Sequence, residues 1–152
     1  MDRLLFKLNP NPILIYEQGS LKILQTNPAF RKKYGYSKDE VRTLTIEDIR
    51  PQEGLKELHK AINNQKKEGV NKVKLVHHQS KSGELFYVNL SSHDYTYKGS
   101  DARLVLIHDV TDRVKAEQRA KDAFAELNHH VNESPLAMVK WDEEFRIIEW
   151  SK

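Results

Sequence analysis

Residues 103–113 read Arg-Leu-Val-Leu-Ile-His-Asp-Val-Thr-Asp-Arg, and this stretch constrains the fold more than any other. Leu104, Val105, Leu106 and Ile107 are apolar without alternation, the pattern of a strand covered on both faces. Asp109 and Thr111 follow, a carboxylate and a hydroxyl two residues apart. Such a pair suits the start of a helix, whose first amides lack intrahelical acceptors. From Asp112 to Val131 there is no glycine or proline, and Ala, Glu, Lys and Arg abound. The stretch therefore reads as a buried strand that passes through a cap into a long helix.

Working back from it, Glu84 to Ser92 is a strand with Phe86, Val88, Leu90 and Ser92 on one face. Lys81-Ser82-Gly83 is the turn before it. Lys72 to Gln79 alternates, which places Val73, Leu75 and His77 together. Gln52 to Gly69 carries Leu55, Leu58, His59 and Ile62 at helical spacing, with Gly69 as the expected C-cap. A short helix around Ile46 to Ile49 is expected to stop at Pro51. Ser37 and Glu40 match a capping box, and Asn27-Pro28 opens a helix that Gly35 ends. Ile13 to Tyr16 and Leu21 to Leu24 flank a hairpin turn.

This order gives an α+β domain, a five-stranded antiparallel sheet with short helices on one face. Something else must cover the outer face of the last strand. The amphipathic segment 1–9, carrying Leu4, Leu5 and Leu8, or the same surface of a second subunit, is expected to do so.

Three strings share this order with a known family. Asn27-Pro28-Ala29-Phe30 with Tyr34-Gly35-Tyr36-Ser37 and Glu40, then Lys81-Ser82-Gly83-Glu84-Leu85-Phe86-Tyr87-Val88, then His108-Asp109-Val110-Thr111-Asp112-Arg113 together resemble the PAS family over roughly Leu8 to Arg113. The resemblance implies a cavity between sheet and helices. A ligand there would meet Phe30, Tyr34, Ile49, Leu58, His59, Ile62, Leu75, Val88, Leu90, Leu104 and Leu106, with His77 and Ser92 as polar anchors. The same side chains can equally fill a core with no ligand. The resemblance also implies that Asp109, Thr111 and Arg113 relay changes in the sheet to the following helix.

Cofactor chemistry is narrowed by composition. PAS relatives with light-driven flavin or coumarate chemistry use a cysteine, and this chain has none, so covalent flavin photochemistry is excluded along with disulfides and thiolate nucleophiles. Haem-binding relatives place an axial His on the long helix, where His59 stands, although no clear counterpart exists for the basic residue that helps hold the haem or its oxygen. His77 and His78 point to opposite faces of a strand, and His129 and His130 are about 100° apart on a helix. No metal site is expected from either pair. The cofactor is expected to be none or a small organic molecule.

No glycine-rich phosphate loop, nucleophile elbow or His-Glu-x-x-His string occurs, so catalysis is not expected of this chain. The resemblance implies a sensory and dimerising module whose output, a histidine kinase or a diguanylate cyclase, lies elsewhere in a parent protein. The alternative is a ligand-free interaction module. With 38% hydrophobic and 31% charged residues and a mean hydropathy of −0.72, the chain reads as soluble and globular. Its 25 Lys and Arg against 22 Asp and Glu leave only +3. Arg31-Lys32-Lys33 and Lys66-Lys67 are each followed by acids, which is a mixed solvated surface and not a nucleic-acid stripe. No apolar run approaches the roughly 18 residues of a membrane span, and Leu4 to Leu8 is too short for a signal-peptide core. A cytoplasmic location with no direct membrane contact is expected.

Segment 10–113 is thus the expected sensor domain and 114–133 a linker helix. Ala116, Ala120, Ala123 and Leu127 form a heptad-like seam beside Phe124 and Val131, which suits a parallel homodimer. Segment 134–152 repeats the start of the chain at an offset of 123 residues, pairing Pro12 with Pro135, Leu8 with Val131 and Asn9 with Asn132. It reads as the truncated start of a second unit, with Trp141, Phe145 and Trp150 in need of a partner surface, or else as a C-terminal hairpin of the first domain.

Overall fold

A computed structural model of the chain describes residues 3–65, 68–133, 138–141 and 147–151. The chain divides into two units, Met1–Thr111 and Asp112–Lys152.

The first unit opens with helix α1 (Arg3–Leu8), followed by strands β1 (Ile13–Glu17) and β2 (Ile23–Thr26). Helices α2 (Pro28–Tyr34) and α3 (Lys38–Val41), a 3-10 turn at Gln52–Gly54 and helix α4 (Leu55–Asn63) come next. Strands β3 (Asn71–Gln79), β4 (Leu85–Tyr97) and β5 (Ser100–Asp109) complete it. The five strands form one antiparallel sheet in the order β2-β1-β5-β4-β3. The N-terminal hairpin thus pairs with the last strand, which closes the domain with β5 at its centre. The five-stranded antiparallel sheet is the one the sequence pattern called for.

Local chemistry explains the helix ends. Asn27 Oδ1 accepts from Phe30 N–H at 3.0 Å, and Gly35 ends α2 at φ 81°, where a side chain would be strained. Ser37 and Glu40 close a reciprocal capping box. Two expectations fail. Residues around Ile46 to Ile49 are turns and not a helix, with Ile46 N–H held by Leu21 O and Ile23 N–H by Leu44 O. Helix α4 ends at Asn63 and not near Gly69, because Asn64 turns its amide back on three carbonyls of the last turn. Asparagine competes for backbone groups and stops helices readily.

The sheet carries an apolar cluster on each face. Leu14, Tyr16, Phe30, Tyr34, Ile49, Leu58, Val88, Val105 and Ile107 pack between sheet and helices. Ile13, Ile15, Ala102, Leu104 and Phe6 pack on the other face. α1 does cover β5, but Phe6 is the residue that does it. Leu4, Leu5 and Leu8 are exposed.

In the second unit, α5 (Thr111–Glu133) begins at the last residue of the first, and β6 (Met138–Trp141) pairs antiparallel with β7 (Ile147–Ser151). Pro135 and Phe145, which carried part of the expected repeat, lie outside the described residues. Among the described residues no helix is long and apolar enough to cross a membrane.

Candidate functional site

Between the sheet and helix α4 lies a cavity of about 50 Å³. Leu14, Ile46, Ile49, Leu58, Ile62, Val73, Leu90 and Val105 give it an apolar wall, and Tyr16, Arg50, Gln65, His78 and Ser92 its polar groups. Of the pocket residues expected from sequence, Ile49, Leu58, Ile62, Leu90 and Ser92 are at this wall, while Phe30, Tyr34 and Val88 sit in the core beside it.

Five others are elsewhere. Leu104 and Leu106 face the opposite side of the sheet, because β5 pairs Leu104 with Ile15 and Leu106 with Ile13, both of the outer cluster. Val105 and Ile107 take the inner positions. A strand apolar on both faces carries no alternation from which to read its inner side. Leu75 and His77 are also turned outward. The β3–β4 register slips between Val73 and Val76, with Leu75 at φ 55° and its N–H held by Asn89 Oδ1 at 2.9 Å. One extra residue exchanges the faces of everything after it, so Val76 and His78 point into the core in place of Leu75 and His77. His59 is exposed on α4, its Nε2 2.9 Å from Glu47 Oε1, and is absent from the cavity wall. The haem ligation considered for it does not fit this placement, nor does a cavity of about 50 Å³, far below the roughly 300 Å³ at which pockets for drug-sized ligands and cofactors begin.

His78 and Arg50 are the buried polar groups that sequence reasoning missed. His78 Nδ1 and Tyr34 Oη are 2.6 Å apart, both nearly inaccessible. Burial, reinforced by the Arg50 charge, holds the imidazole well below its ordinary value and so neutral, and burial pushes the Tyr34 phenol up. Arg50 is only 7% exposed. Burial lowers its guanidinium to about 10, and among the described residues no hydrogen bond or ion pair holds that group. A charged residue before Pro51 reads as surface in a sequence. The one available signal was the apolar Ile46 and Ile49 just before it.

A second constellation stands where β5 ends. Asp109 Oδ1 accepts from Thr111 N–H at 2.8 Å and from Thr111 Oγ1–H at 2.6 Å. Thr111 Oγ1 in turn accepts Tyr87 N–H of β4 at 2.9 Å, and Val110 N–H donates to Tyr87 O. Lys33 of α2 forms an ion pair with the other oxygen of Asp109 and lies 4.7 Å from the Phe86 ring centroid. Burial alone would push the Asp109 carboxyl up. Hydrogen bonds from Lys33 and Thr111, with the Lys33 charge, outweigh it and hold the carboxyl below its ordinary value. The sequence expectation of a cap is refined here: Thr111 is already helical, and its hydroxyl serves strand β4. Arg113 is exposed, 3.9 Å from Glu117, and takes no part in this network.

Residues 10–112 match the family model of the PAS domain. The chain belongs to the PAS domain family. Solved PAS domains share its fold. One from an HTR-like protein of Haloarcula marismortui is 18% identical with a TM-score of 0.60, over 69% of this chain and 85% of that one. A PAS domain from a two-component sensor histidine kinase is also 18% identical, with a TM-score of 0.56 over 70% and 90%. A LOV protein of Rhodobacter sphaeroides is 15% identical, with a TM-score of 0.62 over 78% and 69%. No curated protein matches the chain. In this PAS domain the cavity and the junction are joined by one run of contacts: Tyr34, hydrogen-bonded to His78 at the cavity, follows Lys33, which holds Asp109.

Proposed function

We propose that this PAS domain is the sensory input of a sensor histidine kinase, and that changes in its core reach the output through the Asp109–Thr111 junction and helix α5. The observation that carries the reading is the bond from Tyr87 N–H to Thr111 Oγ1. It ties the first residue of α5 to the neighbouring strand, so a shift of β4 against β5 moves the start of the helix. The likeness to a PAS domain from a two-component sensor histidine kinase supports the kind of output. In this reading the module performs no chemistry itself. It also acts as a homodimer through α1 and α5, on which Leu4, Leu5, Leu8, Phe124 and Leu127 are exposed.

The test is a chimera in which this chain replaces the PAS unit of a sensor kinase, with autophosphorylation as the readout. Thr111→Val and Asp109→Asn should each change kinase activity while the module stays folded. Activity indifferent to both, and to Tyr34→Phe in the core, would remove the relay. Sedimentation that shows only monomer at high concentration would remove the dimer. A ligand-free interaction module is the second reading, favoured by the small cavity. It expects junction variants to change dimer strength and no small molecule to change kinase activity.

A further inference from the structure

The cavity is chemically lopsided. Arg50, 7% exposed, lines it, and among the described residues no hydrogen bond or ion pair holds its guanidinium, although the charge of Glu57 reaches it through space. Tyr16 Oη already accepts from Gln65 Nε2 at 3.0 Å, which leaves the phenol proton to donate. Ser92 Oγ likewise accepts from Arg103 Nη2 at 3.2 Å, which leaves its hydroxyl proton to donate. His78 is neutral, so Arg50 is the one cationic group among the cavity's described lining residues. One cationic side chain and two hydroxyl-bearing ones thus line the space beside Gln65 and the neutral His78, and Leu14, Ile46, Leu58, Leu90 and Val105 form its apolar wall.

We propose that the cavity binds a short-chain monocarboxylate, with the carboxylate on Arg50 and the alkyl end against the apolar wall. This ligand class rests on the sensory reading of the module and gives that reading its signal. A guanidinium is matched in shape to a carboxylate and binds it in two parallel hydrogen bonds. Arg50 has only the through-space charge of Glu57 against it, so a carboxylate that hydrogen-bonds its guanidinium directly adds a contact the free protein lacks. The size agrees: a space of about 50 Å³ at about 10–15 Å³ per water-sized occupant holds a molecule of about three to five heavy atoms, the size of acetate or propionate. The apolar wall favours a carboxylate with an alkyl tail over a wholly polar inorganic anion.

Calorimetric titration of the full chain with propionate, propionamide and nitrate tests the assignment. Saturable propionate binding is expected, with propionamide and nitrate far weaker. Arg50→Met should cost about 100-fold in affinity, and Ser92→Ala a smaller factor. Without ligand, Arg50→Met should melt at the same temperature or higher, since it removes a mostly buried guanidinium that no hydrogen bond or ion pair holds. An arginine placed for structure alone would lower the melting temperature on replacement and leave propionate binding absent in the parent chain. Equal binding of propionamide, or nitrate binding in preference to propionate, would overturn the carboxylate assignment. Propionate binding that leaves the chimera's kinase activity unchanged overturns the sensory reading and leaves the ligand class standing. Kinase activity that follows junction variants while propionate does not bind does the reverse.

Discussion

Tyr34 and His78 stand 44 residues apart in the chain and 2.6 Å apart in the core, their hydroxyl and imidazole joined where neither meets bulk water. The pair fastens α2 to β3 across the apolar cluster. Phe30 stacks on Tyr34 at 4.1 Å, and Phe86 meets it edge-on at 5.1 Å, so the phenol is held by packing from two sides. Tyr34→Phe keeps that packing and strands the imidazole nitrogen. It should destabilise the domain by about 1–3 kcal/mol. Urea unfolding of Tyr34→Phe, His78→Phe and the double variant checks this: the double variant should cost less than the sum of the two, because removing both partners leaves no orphan.

His78 should also give the domain an acid-sensitive stability. The unfolded imidazole titrates near 6.5, and the folded one well below that. Between the two values the unfolded chain binds the extra proton. The stability contributed by the neutral buried ring is therefore complete above pH 6.5 and is lost as pH falls towards the folded value, at up to about 1.4 kcal/mol per pH unit. Asp109 acts in the same direction but in a lower window. Its folded carboxyl lies below the ordinary 3.8, so its contribution is present above that value and is lost as pH falls through the folded one. Unfolding free energy measured from pH 7.5 to 5 should slope downward in the parent chain, and His78→Gln should flatten the slope. An unchanged slope would assign the acid sensitivity to another group.

The junction should prove more than a cap. Thr111→Val removes the acceptor of Tyr87 N–H and the hydroxyl on Asp109 while keeping the shape of the side chain. A loss of about 1–2 kcal/mol is expected. The distinguishing readout is hydrogen exchange: protection should fall at Tyr87 in β4 as well as in the first turn of α5. Loss confined to the helix would mean that Thr111 acts only as a helix-starting residue.

The fold was legible where local chemistry decides structure. Asn27 and Gly35 bracket α2, Ser37 and Glu40 cap α3, and the apolar run Leu104–Ile107 announced a strand covered twice. Legibility failed where a distant residue decides. The bulge at Leu75 depends on the side chain of Asn89, on the partner strand, and nothing within Lys72 to Gln79 announces it. That one insertion transfers the buried role from His77 to His78. The inner and outer sides of β5 depend on its register with β1, which the strand's own uniform apolarity conceals. Arg50 was missed for a related reason: a charged side chain reads as solvated until the elements around it close, and Leu58, Tyr16 and His78 come from three separate parts of the chain.

Asn27 shows the same lesson in a form that can be measured. Read locally it is an N-cap, and at an N-cap asparagine and aspartate serve about equally well. In the fold it is wholly buried and does more. Its Oδ1 accepts from both Phe30 N–H and Ile13 N–H, the latter at 2.8 Å, while Nδ2 donates to the carbonyls of Phe6, Asn9 and Asn11 at 3.2, 3.4 and 3.0 Å. The amide thus binds the end of α1 and the connection to β1 onto the start of α2. A carboxylate cannot donate to carbonyls, and placing one there sets buried negative charge against three oxygens. If the cap were the whole role, Asn27→Asp would be nearly neutral. The network predicts a loss of at least about 3 kcal/mol, with faster hydrogen exchange in β1 and protection lost in the α1 segment. Equilibrium unfolding of Asn27→Asp beside Asn27→Ser, which keeps a cap and carries no charge, separates the two roles, since the serine variant should be the more stable of the pair.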